Sequence, residues 1–114
     1  MSILSSSTIA GDEVVNRNGE NLGDIKDLMI DTTNGRVAYA VLEFGGFLGM
    51  GSKLFAVPLS AMEVDTGNKR FIFDQSKEKL ENAPGFDKDH WPSFSDRIWG
   101  STIHEYYGVR PYWE

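Results

Sequence analysis

The sequence predicts a mainly β fold: a small antiparallel β-barrel, closed or partly open, of about six short strands, with a helical, aromatic-rich C-terminal extension. Three observations carry this. Asn18-Gly19, Asn34-Gly35 and Thr66-Gly67-Asn68 supply residues that tolerate the positive φ of tight reversals. Between them lie short runs rich in Val, Ile, Phe and Tyr, which suit a pleated surface. After Asp74 the apolar spacing lengthens from two toward the helical period.

In chain order, strands are expected near Glu13–Asn16, Asp24–Asp31, Arg36–Phe44, Lys53–Val57, Met62–Val64 and Arg70–Asp74. Residues 1–10, Ser-rich, read as a flexible leader, because they lack the basic start and apolar run of a signal peptide. The clearest hairpin turns at Asn34-Gly35. Along its second strand Val37, Tyr39 and Val41 share one face, and Ala38, Ala40 and Leu42 the other. Both faces are apolar, so this strand is expected to be central and covered on both sides. In the preceding strand Leu22, Ile25 and Leu28 are three apart, which one face can hold only with a bulge or bend; Gly23 makes such a bend cheap. Pro58 cannot donate to a ladder and should end the fourth strand or mark an edge.

Residues 75–114 form the extension. Ser76 to Ala83 reads as a short helix stopped by Pro84-Gly85, and residues 87–92 as a polar loop carrying one Trp. Ser93 and Asp96 have the spacing of a capping box. Trp99, Ile103 and Tyr106/Tyr107 then recur at i, i+4 and i+7/i+8, the stripe of an amphipathic helix. Gly100 weakens that helix by about 1 kcal/mol relative to Ala, and Gly108 is a natural stop. Eight aromatic residues lie after residue 85. Each large ring covers about 150–250 Å², more than a short tail can bury within itself. The tail must therefore lie on its own barrel, within residues 11–74, or on a partner.

At 114 residues the chain forms one domain. Its net charge of −6 comes from 11 basic and 17 acidic residues, with the basic ones scattered. Phosphate backbones and anionic membranes draw affinity from clustered Lys and Arg, so neither is an expected partner. With no cysteine, thiol catalysis and thiolate metal sites are excluded, and a reducing, cytoplasmic setting is expected. No apolar stretch approaches the roughly 20 residues of a membrane span.

The stretch Asn21-Leu22-Gly23-Asp24-Ile25-Lys26-Asp27-Leu28-Met29-Ile30-Asp31, then Gly35-Arg36-Val37-Ala38-Tyr39-Ala40-Val41-Leu42 and Lys53-Leu54-Phe55-Ala56-Val57-Pro58, resembles the PRC-barrel signature over about Ile9 to Asp74. That family is named for the photosynthetic reaction centre H subunit and includes the C-terminal domain of a ribosome-maturation factor. The tail, with Asp87-Lys88-Asp89-His90-Trp91-Pro92 and Tyr106-Tyr107-Gly108 before Pro111-Tyr112-Trp113, resembles the extension of stand-alone bacterial members. The resemblance implies a barrel used for docking and assembly, with no family-wide catalytic residues. The membrane helix of the reaction-centre subunit and the N-terminal domain of the ribosome factor have no counterpart in this sequence, so neither role is expected.

The candidate binding residues are apolar. Phe47, Leu48 and Met50 sit in a four-glycine loop that matches no phosphate-binding spacing, and they plug a barrel end or dock on a partner. Trp99, Tyr107, Tyr112 and Trp113 are the tail's docking candidates. Asp87, Asp89 and His90, with His104 and Glu105, offer metal-ligand chemistry, but their spacing fits neither a zinc nor a calcium pattern. No nucleophile-elbow signature is present, so no catalytic residue, cofactor or metal is assigned. The expected function is a non-catalytic protein-binding and assembly module, homodimeric. The alternative is a small-molecule or metal-ion-binding barrel, and an enzyme ranks third.

Overall fold

A computed structural model describes residues 3–45 and 52–114 of the chain. Six strands form one curled sheet: β1 (Glu13–Val15), β2 (Asn21–Asp31), β3 (Arg36–Gly45), β4 (Ser52–Pro58), β5 (Met62–Asp65) and β6 (Arg70–Phe73). Their hydrogen-bonded order is β4-β3-β2-β1-β6-β5. A 3-10 turn at Leu59–Ala61 links the two terminal strands of that order. The result is a half-barrel, mainly β, with helical segments α1 (Ser6–Ile9), α2 (Lys77–Glu81) and α3 (Arg97–Tyr107). No helix among the described residues is long and apolar enough to cross a membrane.

One pairing corrects the expectation of a wholly antiparallel sheet. β1 runs parallel to β6, with Val14 opposite Phe71. Two strands more than fifty residues apart are joined by the whole intervening meander, and no local turn signal marks such a pair.

The three-residue spacing in β2 is resolved by bulges. Register shifts occur between Val14 and Val15 on the β1 side and between Ile25 and Asp27 on the β3 side. Each extra residue flips the alternation once, so Leu22 and Ile25 are both buried and Leu28 packs against the same core. Gly23 adopts φ +121°, and a Cβ there would collide with the Glu43 carbonyl oxygen. The bend thus brings two backbones closer than any side chain permits.

β3 lies between β2 and β4 and is buried from Ala38 through Leu42, on both faces as its composition requires. The sheet's concave side holds Val14, Leu22, Phe55, Phe71 and Phe73, with Leu80, Ile103 and Tyr107 from the helices completing the same cluster. Ahead of β1, where the sequence reads as a flexible leader, residues 6–9 form one helical turn. Ser5 caps it by accepting from the Thr8 N–H, and the Gly11 N–H donates to the Ile25 carbonyl at 2.7 Å.

The helices of the extension start and stop on recognisable chemistry. Ser76 caps α2. α3 begins later than the Ser93 spacing implies, because the Asp96 carboxylate itself accepts from the Ile98 and Trp99 N–H groups. Ser93 instead takes the Asp96 N–H on its carbonyl. Gly108 ends α3 in the left-handed conformation, φ +70°. Between the helices Phe86 exchanges two 2.8 Å backbone hydrogen bonds with Leu54, covering part of the outer edge of β4.

Candidate functional site

The extension lies on its own barrel, and Tyr39 of β3 is the hub of that contact. Its ring meets Phe94, Trp99, His104 and Tyr112 at centroid separations of 5.4–5.7 Å. Phe86, Trp91 and Phe94 continue the cluster along the loop, while Tyr107 packs edge-on against Phe73 at 5.2 Å. Edge-to-face contacts of this kind add to area burial because ring edges and faces carry opposite partial charge.

His104 holds the C-terminal segment in place. It is wholly buried. The Tyr112 N–H donates to Nε2 at 3.2 Å, so Nε2 carries the lone pair, and Nδ1 carries the proton that it donates to the Gly100 carbonyl at 2.7 Å. The turn from Gly108 to Trp113 is thereby folded back over α3. Arg36 adds a 2.8 Å hydrogen bond to the Tyr112 carbonyl.

This fold-back creates a cleft of about 330 Å³ between the β2–β3 hairpin and the extension. Residues 29–33 of the hairpin line it, together with Ala38, Tyr39, Phe94, Ser95, Arg97, Tyr112 and Trp113. Asp31 accepts from the N–H groups of Thr33 and Asn34 and from the Asn34 side-chain amide, and the Tyr112 hydroxyl bonds to it. Desolvation pushes the Asp31 carboxyl upward, but these hydrogen bonds together outweigh it and hold the group below its ordinary value. Tyr112 shifts up, through desolvation first and then the adjacent Asp31 charge. Arg97 lies over the Trp113 ring, 5.3 Å from its centroid. Ile30, 58% exposed, lines the cleft, and Ile98, 83% exposed, follows Arg97 on α3.

The docking candidates of the tail separate in this arrangement. Tyr107 is buried in the core, and Trp99 is half-buried against Tyr39 and Phe94. Tyr112 and Trp113 are half-buried and line the cleft. Phe47, Leu48 and Met50 lie outside the described residues. The metal-ligand candidates are not brought together: Asp87 and His90 pair with each other at 2.7 Å on the surface, while His104 is committed inside. The His90 hydrogen bond is the main reason that the Asp87 carboxyl sits below its ordinary value. Among the described residues no group of three or more His, Asp or Glu is placed to hold a metal ion. Sequence reasoning missed the hairpin side of the cleft, Met29 to Thr33, and missed Arg97. The only available signal was an apolar Ile30 at a strand end, which is common in any sheet.

The family model of the PRC-barrel domain matches residues 1–80. The chain belongs to the PRC-barrel family. The match runs past β6 into α2, whose Leu80 is wholly buried in the barrel core, so the first helix of the extension is part of this PRC-barrel's packing unit. Among curated proteins no sequence matches the chain. Among solved structures it is similar to a protein of Pseudomonas aeruginosa described as a 16S ribosomal RNA processing protein, RimM. The two share 16% identity at a TM-score of 0.42, over 66% of this chain and 45% of that one. The PRC-barrel chain thus spans less than half the length of that neighbour.

Proposed function

We propose that this PRC-barrel protein is a non-catalytic, cytoplasmic binding module that docks on another protein or on a second copy of itself. The observation that supports this reading is the exposed apolar surface around the cleft. Tyr112 and Trp113 are only half-covered by their own barrel and line the cleft together with the exposed Ile30, and Ile98, also exposed, follows Arg97 on α3. Monomeric proteins keep contiguous apolar patches small, and larger ones mark interaction sites.

Chemical cross-linking and co-purification of the tagged protein from its native cells test the reading. One reproducible partner, or a dimer in light scattering, is expected, and Ile30→Asp with Ile98→Asp should abolish either. A strict monomer from which no partner is recovered would refute it. The cleft also favours a second reading, a small-molecule-binding barrel, since its volume is at the low end of ligand pockets. A thermal shift with a metabolite panel would support that reading over docking.

A further inference from the structure

We infer that the cleft between the β2–β3 hairpin and the extension receives an acidic peptide segment of a partner protein, an apolar side chain seated inside and a neighbouring carboxylate held by Arg97. This rests on the docking reading and names the chemistry of its partner.

The argument is one of committed and uncommitted charge. Asp31 and Arg97 are the charged residues in the cleft lining, and Arg36 borders it at the Tyr112 carbonyl. The Asp31 carboxylate accepts from two backbone N–H groups and the Asn34 amide, so most of its acceptor capacity is committed within the hairpin. Arg36 is used on the Tyr112 carbonyl. Arg97 makes no ion pair or hydrogen bond with any described residue; its guanidinium lies over the Trp113 ring, and its charge also acts on Tyr112. That stacking leaves the in-plane N–H donors of the guanidinium free and fixes their plane, which lowers the entropic cost of gripping a carboxylate in bidentate fashion. The two charged residues of the lining, Asp31 and Arg97, cancel, in a chain whose net charge is −6. Long-range repulsion by the rest of the chain disfavours strongly anionic ligands, so one carboxylate beside an apolar anchor is the better match.

The cleft interior fits that anchor. Met29, Ala38, Tyr39 and Phe94 give it apolar and aromatic walls, and about 330 Å³ accommodates one large side chain. The hydroxyls of Thr32, Thr33 and Ser95 make no hydrogen bond to any described residue and are available to peptide backbone groups.

The test is a heteronuclear NMR titration of the full chain with two blocked dipeptides, acetyl-Phe-Glu-amide and acetyl-Phe-Gln-amide, up to about 20 mM, where a single anchored side chain should approach saturation. Expected are shifts confined to residues 29–33, Tyr39, Arg97 and Trp113, with the Glu peptide bound at least about threefold more tightly and this preference fading with added salt. Arg97→Gln, a substitution on the surface, should equalise the two peptides without changing the unperturbed spectrum elsewhere. Equal binding of both peptides by the native chain, shifts scattered over other faces, or no shifts at all would overturn the inference. The docking reading fails separately. If a partner recovered from cells is retained by the double variant Ile30→Asp, Arg97→Glu, docking stands and this cleft is the wrong place.

Discussion

A Cβ on Gly100 would stand 2.8 Å from the hydroxyl oxygen of Tyr39, with the Trp113 ring at 3.0 Å on its other side. The close approach of α3 to the barrel therefore requires a residue without a side chain at the centre of the helix. That reverses the meaning of the glycine, which in the sequence reads only as a weakness of the helix.

Gly100→Ala tests the relationship. Helix propensity alone would stabilise by about 1 kcal/mol, but the clash is expected to win and to cost about 1–2 kcal/mol net, as overpacking does. In a Tyr39→Phe background the oxygen is gone and the same substitution should cost clearly less, with only the Trp113 ring, 3.0 Å from the added Cβ, left to give way. Denaturant midpoints of the four proteins measure the coupling, and additive effects would contradict the contact.

His104 should be neutral with its proton on Nδ1, since Nε2 accepts from the Tyr112 N–H. Long-range proton–nitrogen correlation spectra report this tautomer directly. His104→Ala leaves the Gly100 carbonyl and Tyr112 N–H without their side-chain partner and opens a void. A loss of about 2–4 kcal/mol is expected, with the Trp113 signals shifting furthest from their native positions.

Acid should loosen the hairpin and the C-terminal segment together. The folded-state pKa of Asp31 lies below its ordinary value, so its contribution is fully present above that value and is lost as pH falls through the folded one. Asp65 and Asp87 are depressed as well, the first mainly by the Asn68 side chain and the second by His90. Melting temperatures measured from neutral pH downward should drop below about pH 4. Asp31→Asn should begin lower and fall less steeply, and parallel curves would contradict the assignment.

Alkali acts through the buried phenols. Desolvation raises Tyr39 and Tyr107 far above the usual tyrosine range, with their neighbours Tyr112 and Tyr106 adding to it. Their stabilising contribution is intact below about pH 10 and declines as pH rises beyond it. Phenolate absorbance should show these two ionising only as the protein unfolds. Neither hydroxyl has a hydrogen-bond partner among the described residues, so Tyr107→Phe should be neutral or stabilising by up to about 1 kcal/mol.

Much of the barrel is legible in the sequence because its determinants are local. Asn34-Gly35 sets a hairpin, the apolar faces of residues 37–42 set a central strand, and the spacing of Leu22, Ile25 and Leu28 demands the bulges that β2 contains. The parallel β1–β6 pair is illegible because it depends on how the whole sheet curls. The start of α3 is a competition between two nearby acceptors, Ser93 and Asp96, that spacing alone cannot decide. His104 reads as a metal-ligand candidate and serves instead as an internal clamp, since burial depends on the fold-back at Gly108. The cleft is hidden for the same reason: its two walls are some sixty residues apart, and only Tyr112 and Trp113 on one of them stand out by residue type.

The central claim is that the extension is part of the barrel's core and not an appendage, and native-state hydrogen exchange of the full chain measures this most directly. The amides of Ile103, His104 and Tyr107 should exchange with the same opening free energy as those of Ala40 to Leu42 in β3, through global unfolding. Exchange of the α3 amides several kcal/mol more easily than β3, with the strand protection unchanged, would show a tail that detaches from an independently stable barrel and would contradict the account.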